Sequence, residues 1–380
     1  MISVRTEADS TYHRPQYDFF GIGLFGRAKI WKTNMEKIRL GKTNLMCSRI
    51  GFGGIPIQRV SEEEAIAVVR HCLDIGINFI DTATGYTTSE ENIGKAIKGY
   101  RREDIYIATK THARPAKEVL RDLKESLRKL DTDYIDLYQF HDVRDGSDLD
   151  QVLAPGGTFE AIDNARKEGL VRHIGVSCHQ LDSAIKLVKI GKFETMQFPF
   201  NYITDEAKNE LIPLCKDLDI GFLIMKPLSG GVLPNVTLGF KFLLQFPEIL
   251  PIPGIQSIAE IDEIVAIEKS SQLTAAEQEE IERLRKELGK QFCRRCDYCQ
   301  PCTADINISD IMYSHTMWKR MPLKKIFNSR FCSQLDKVND CTDCGECETR
   351  CPFELPIREI MAKNYKLYLE QKRKWEETRS

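Results

Sequence analysis

From residue 48 to residue 289, short apolar runs rich in β-branched and aromatic residues alternate eight times with longer segments of helical period. Eight such units in succession are the sequence pattern of a parallel sheet closed into a barrel. The strands are predicted near 48–54, 77–82, 105–110, 134–140, 173–177, 195–199, 221–226 and 250–255. Helices fill the gaps. One is predicted over 62–73, opened by the capping box of Ser61 and Glu64, and another over 115–130. A last helical pattern over 274–288, stopped by Gly289, marks the end of this domain. Ahead of the first strand, residues 35–47 read as a short hairpin.

The second unit carries the chemistry. Residues 76–86, GINFIDTATGY, are a buried strand that delivers Asp81 and, just beyond it, Tyr86 to one rim. The next run, IYIATK, ends on Lys110, and the one after, YIDLYQFH, ends on His141. Any one of these alone reads as a solvated residue at a strand end. Four polar groups at or just past the ends of consecutive strands point instead to a site, because the C-terminal rim of such a barrel is where catalytic residues gather. A phenol with a pKa near 10 is a poor proton donor at neutral pH unless a fixed cation stabilises its anion. Lys110 is that cation.

Nine of the 13 cysteines crowd between residues 293 and 351. Cys341, Cys344, Cys347 and Cys351-Pro352 spell CxxCxxCxxxCP, the run of bacterial ferredoxins, and Cys293, Cys296, Cys299 and Cys302 form a second set spaced CxxCxxCxxC. Eight thiolates are thus available for two 4Fe-4S clusters. Zinc is the competing reading, but structural zinc sites pair CxxC knuckles across a loop. By the ferredoxin precedent the last cysteine of each run serves the other cluster, which pairs Cys293, Cys296 and Cys299 with Cys351, and Cys341, Cys344 and Cys347 with Cys302. The first run is one residue shorter than the ferredoxin spacing, so this exchange stays open. Cys332 is surplus, and Cys47, Cys72, Cys178 and Cys215 read as small apolar packing groups. Between the runs, MYSHTMWKRMPLKKIF reads as a helix, either a solvated face or a docking patch for an acidic, ferredoxin-like electron carrier. Residues 357–375 read as a basic helix.

DTATGY with SEENIGKAI, then ATK, then DLYQFH, resembles the aldo-keto reductase superfamily over about residues 35–266. The resemblance implies a (β/α)8 TIM barrel, here followed by a C-terminal α-helical ferredoxin-like iron-sulfur module, with the hairpin plugging the barrel floor. It places the family's tetrad on Asp81, Tyr86, Lys110 and His141. Tyr86 then protonates a carbonyl oxygen as a nicotinamide hydride reaches the carbon, Lys110 tunes Tyr86, Asp81 holds Lys110, and His141 orients the carbonyl. Gly53 and Gly54 in IGFGG, Ser177 in HIGVSC and Gln197 in TMQFPFNY fall on cofactor positions. So do Met225, Pro227 and Leu228 in MKPL, and Gly254 and Gln256 in PGIQ, while the backbone N–H groups of Ser229, Gly230 and Gly231 in the following SGG are expected to face a pyrophosphate, as in other glycine-rich loops. Two departures stand out. Cys178 replaces an amide that grips the carboxamide, and Met225 replaces the aromatic that stacks on nicotinamide, unless it is ordinary core. Glu260 falls where many members carry the arginine that holds a 2′-phosphate. It points to NADH through a ribose hydroxyl, or else is a plain surface residue. The iron-sulfur module occupies the sequence position of the family's pocket-roofing loop.

At 380 residues with a net charge of −2, the chain has room for two domains and no basic footprint for nucleic acid. It has no apolar run of membrane-spanning length and no convincing signal peptide, and crowded thiols fit a reducing cytoplasm. The domains expected are an N-terminal extension over 1–34, poorly ordered, a barrel over 35–289 and a cluster module over 290–380. The function expected is a cytoplasmic oxidoreductase interconverting a small-molecule carbonyl and an alcohol with NAD(P), with no nucleic acid or membrane partner. An electron-transfer protein or redox sensor using the barrel as scaffold stays open. Nicotinamide moves two electrons as hydride, whereas each cluster accepts one. No flavin motif is evident, yet a flavin or a one-electron reduction stays open as well.

Overall fold

The computed structural model describes residues 35–144, 146–327 and 331–378; the extension expected over 1–34 lies outside them. A hairpin of β1 (Lys37–Arg39) and β2 (Met46–Ser48) pairs antiparallel, Ile38 opposite Cys47. Eight parallel strands follow: β3 (Phe52–Gly53), β4 (Phe79–Asp81), β5 (Tyr106–Thr111), β6 (Ile135–Phe140), β7 (Val171–Ser177), β8 (Thr195–Pro199), β9 (Gly221–Met225) and β10 (Ile249–Pro251). They lie side by side in chain order. Between the first and last of them Gly51 N donates to Pro251 O, Gly53 N to Pro253 O and Ile255 N to Gly53 O, which closes the sheet into the expected barrel.

The two strands at this seam are shorter than expected. Ser48 is taken by the hairpin, opposite Lys37. At the other side Pro253 has no N–H to extend β10. The seam also explains its glycines. A Cβ on Gly53 would lie 2.7 Å from Pro253 O and one on Gly254 2.9 Å from Pro56, so closure requires residues without side chains there.

The barrel is filled, not hollow. Leu40, Leu45 and Cys47 of the hairpin enter from below and pack on Phe79, Ala108, Leu137, Leu223, Leu250 and Ile252. Gly221 makes room for them, since a Cβ there would meet Leu40 at 2.7 Å. A larger apolar shell lies between the strands and the surrounding helices. Among these, Glu62–Asp74 and Ala275–Leu288 open with complete capping boxes, Ser61 with Glu64 and Thr274 with Glu277.

The C-terminal residues form helices around their own core of Ile306, Ile308, Ile311, Met312, Leu335, Ile357, Met361 and Tyr368. The segment expected as one connecting helix is two, Ile308–Arg320 and Leu323–Phe327, broken before Pro322 as a proline requires. The closing helix runs Ile357–Glu377. Among the described residues no helix is long and apolar enough to cross a membrane.

Candidate active site and cluster module

Asp81, Lys110 and His141 stand at or just past the C-terminal ends of β4, β5 and β6, and Tyr86 in the turn after β4, where Tyr86 N bonds Ala83 O. Lys110 Nζ lies 2.7 Å from Asp81 Oδ2 and also donates to Thr82 O at 2.6 Å. Both side chains are almost wholly buried, at 1% and 4% exposure. Burial pushes the Asp81 carboxyl above and the Lys110 ammonium below their usual ranges, and the ion pair opposes both shifts. Gln139 donates to the other Asp81 oxygen at 3.2 Å, and Gln197 bonds Asp81 as well.

Lys110 Nζ is 5.2 Å from the centre of the Tyr86 ring, and the Tyr86 ring meets His141 edge-on at 6.1 Å. The structure therefore brings all four expected residues together. His141 is stacked at 3.9 Å on His112, and burial together with the charges of His112, Lys110, Arg114 and Arg295 holds it well below the usual histidine range. It is a neutral imidazole at neutral pH, able to donate one hydrogen bond without adding charge. The orphan atoms nearby are informative. Gln197 Oε1 and His141 Nδ1 are buried without a hydrogen-bond partner.

The expected cofactor positions divide. Ser177 Oγ accepts from Asp142 N at 2.9 Å. Gly54 packs its backbone on Asp81, N to O at 2.8 Å. Met225 is half-buried at the end of β9, and its carbonyl accepts from Phe200 N. Leu228 packs against Gly239. Ser229, Gly230 and Gly231 all have left-handed φ, but Ser229 N is bonded to Lys226 O and Gly231 N to Leu228 O. Those two N–H groups are consumed inside the loop, contrary to the expectation that they face a pyrophosphate. Asn201, which the sequence reading passed over, ties the same loop by donating to Lys226 O and Ser229 Oγ.

Glu260 is the N3 residue of the helix Ile258–Glu268 and closes a capping box with Ser257, accepting from Gln256 N at 2.8 Å. Its carboxylate is thus engaged at the helix start, in place of the free group expected at a ribose. Cys178 is folded onto its own loop, with Gln180 N 3.4 Å from Sγ, and burial pushes the thiol up to about 12. It is a buried packing group.

The eight motif cysteines gather in two sets. One cavity is lined by Cys293, Cys296, Cys299 and Cys351, the other by Cys302, Cys341, Cys344 and Cys347. These are the sets that exchange of the last cysteines implies. Among the described residues no three His, Cys, Asp or Glu side chains close tightly enough to hold a single metal ion. Four cysteines lining each cavity are the donor set that a 4Fe-4S cluster takes. Cys332 stands apart, bonded to Ile326 O.

The module sits on the C-terminal rim of the barrel. Arg294 pairs with Glu206 after β8, Asp297 with Arg144 after β6, and Tyr298 donates to Asp182 after β7. Lys325 donates to Gly85 O, one residue before Tyr86. Gln58 bridges Thr87 on the Tyr86 loop to Met321 of the module. The Tyr86 turn is therefore gripped by the module.

Comparison with known proteins agrees with this geometry. Residues 49–241 match the aldo/keto reductase family. The chain belongs to the aldo/keto reductase family. This aldo/keto reductase also matches a 4Fe-4S dicluster domain over residues 292–356. It is 33% identical to L-galactose dehydrogenase of Arabidopsis thaliana over 219 residues, 53% of this chain and 68% of that protein. It is 28% identical to an NADH-specific methylglyoxal reductase of Escherichia coli, over 52% of this chain and 69% of that protein. Among solved structures, an aldo-keto reductase of Bacillus halodurans in its holo form superposes with a TM-score of 0.58 at 26% identity, covering 66% of this chain and 96% of that one.

Proposed function

We propose that the barrel over 35–289 reduces a small-molecule carbonyl to an alcohol, or runs the reverse, with a nicotinamide cofactor. The observation that carries this reading is the buried Asp81–Lys110 pair beneath the Tyr86 ring, 2.7 Å between the ions and 5.2 Å from ammonium to ring centre. Tyr86 delivers the proton to the carbonyl oxygen, and Lys110 stabilises the negative charge that grows on the phenol oxygen as it does so. Asp81, held by Gln139 and Gln197, fixes Lys110. Neutral His141 donates to the carbonyl oxygen and aligns it. When bound, a nicotinamide supplies the hydride. The unpartnered Gln197 Oε1 and the Ser177 hydroxyl suit its carboxamide, with Gly53, Gly54, Met225, Pro227, Leu228, Ser229, Gly230, Gly254 and Gln256 around it. The negative Glu260 at its helix start and the NADH-specific relative both favour NADH over NADPH.

The module over 290–380 is proposed to hold two 4Fe-4S clusters on the two cysteine sets, and the working compartment is the cytoplasm. The clusters are read as structural supports of the Tyr86 loop, because Lys325 donates to Gly85 O and Gln58 joins Thr87 to Met321 of the module. The test is Tyr86→Phe in anaerobically prepared protein. Turnover of a responsive carbonyl should fall about 100-fold or more at unchanged iron content. Near-normal turnover in the folded variant removes Tyr86 from the reaction.

A further inference from the structure

The turn that carries Tyr86 is held from two sides. The barrel fixes its ends. Thr84 Oγ1 donates to Lys110 O at 3.0 Å, and beyond the turn Ser89 N donates to Tyr86 O at 2.8 Å while Ser89 Oγ donates to Gly54 O at 2.9 Å. Between those anchors the two chain neighbours of Tyr86 are met from elsewhere. The Lys325 ammonium, on the helix Leu323–Phe327, donates to Gly85 O, and Thr87 Oγ1 donates to Gln58 Oε1 at 2.8 Å. Gln58 is itself buried, with its Nε2 on Ile55 O at 2.8 Å and on Met321 Sδ at 3.1 Å.

Thr87 gives these contacts their weight. Its φ of 38° is left-handed, a region that a β-branched residue enters only under strain. Thr87 is exposed, so burial does little to hold it there. A strained residue persists where its surroundings over-determine it, and Gln58 is part of those surroundings. Met321 and Ile326, the residue after Lys325, belong to the apolar core of the module, together with Cys299 of one cysteine set and Cys347 of the other, and Ile55 packs on that core from the barrel. Both grips on the neighbours of Tyr86 therefore lead back to the part of the module that joins the two cysteine sets.

We propose that Lys325 and Gln58 are positioning residues for Tyr86: they pin Gly85 and the strained Thr87, and so make the aim of the phenol depend on an intact cluster module. The proposal rests on the reading of Tyr86 as proton donor only for its effect on turnover. The latch itself is measured without turnover, so the two can fail separately.

Hydrogen–deuterium exchange over residues 83–90 is followed by mass spectrometry in anaerobically purified full chain with both clusters loaded. Lys325→Met and Gln58→Ala should each speed exchange of the Tyr86 and Ser89 amides about tenfold, the scale of one lost hydrogen bond, at unchanged iron content. Lys325→Arg, which keeps a charged donor, should retain most of the protection. In both loosened variants kcat should fall about tenfold with KM nearly unchanged, because a misaimed phenol costs the reacting step and not binding. Asparagine accepts a left-handed φ, so Thr87→Asn added to Gln58→Ala should recover much of the lost protection. Removing the iron with a chelator should loosen residues 83–90 while β5 and β6 keep their protection. Gln58→Ala lies outside the module and keeps the test decisive if Lys325→Met fails to load its clusters. Unchanged exchange in Gln58→Ala, or no recovery in the double variant, would overturn the latch. Loss of protection throughout β5 and β6 on chelation would show that the module supports the whole barrel and would overturn its selective hold on Tyr86. The expected exchange pattern beside near-normal turnover in Tyr86→Phe would keep the latch and remove only the proton-donor reading.

Discussion

Replacing Lys110 by Met probes the centre of the site. The side chain is 1% exposed, and Asp81, its acidic hydrogen-bond partner among the described residues, is 4% exposed at 2.7 Å. At an effective dielectric of about 20, a pair at that distance attracts by about 6 kcal/mol, offset by the desolvation of two ions. Removing one partner leaves the other charge buried, so Lys110→Met should cost about 3–5 kcal/mol of stability. Asp81→Asn should cost a similar amount. The double variant should cost much less than the sum, because it leaves no orphan charge. Denaturant unfolding of the four proteins at pH 7 measures all of these, and turnover measured alongside should fall at least as far as in Tyr86→Phe. A Lys110→Met cost under about 1 kcal/mol, or simple additivity in the double variant, would show that the pair is not the buried ion pair on which the chemistry is built.

Two further outcomes follow from the electrostatics and the cysteines. His112, His141 and His179 are all held below their unfolded value of about 6.5, so the folded state resists their protonation. The stability they contribute is present above that pH and is lost as pH falls below it, by up to about 1.4 kcal/mol per pH unit for each. Between pH 8 and 5.5, His179→Asn should therefore lose about 1 kcal/mol less than the parent in denaturant unfolding, and an equal loss would contradict the assignment. Chemical analysis of anaerobic protein should give about eight iron and eight sulfide per chain, as two cubanes require, with Cys332→Ser unchanged. Stoichiometric zinc without sulfide, or a cluster lost in Cys332→Ser, would refute the ligand sets.

The barrel and tetrad were legible because each strand is an apolar run whose chemistry-bearing residue stands at or just beyond its end, a local pattern. The two cysteine runs were legible from their spacing, whereas the exchange of Cys302 and Cys351 stayed open in the sequence, because the first run is one residue short, and is displayed by the cavities. Glu260 was left open between a ribose contact and a surface residue although a further signal was present: Ser257-Ile258-Ala259-Glu260 is a capping-box pattern, which engages the carboxylate at the helix start. The remaining members were not legible for a physical reason. Gln139 lies inside an apolar strand and reads as neither core nor site. Arg295 and Lys325 reach residues more than 150 positions away, such as His141 and Gly85. Contacts at that separation leave no periodicity in the chain.

In the proposed reaction, hydride passes directly between nicotinamide and substrate at the tetrad while the clusters stay out of the electron path. Anaerobic turnover with NADH deuterated at the transferable position, followed by mass spectrometry of the alcohol and by cluster absorbance, tests it in one experiment. Deuterium should appear on the carbinol carbon, one per NADH consumed, with an unchanged cluster spectrum. Alcohol formed without deuterium, together with rapid bleaching of the clusters by NADH in flavin-free protein, would contradict it.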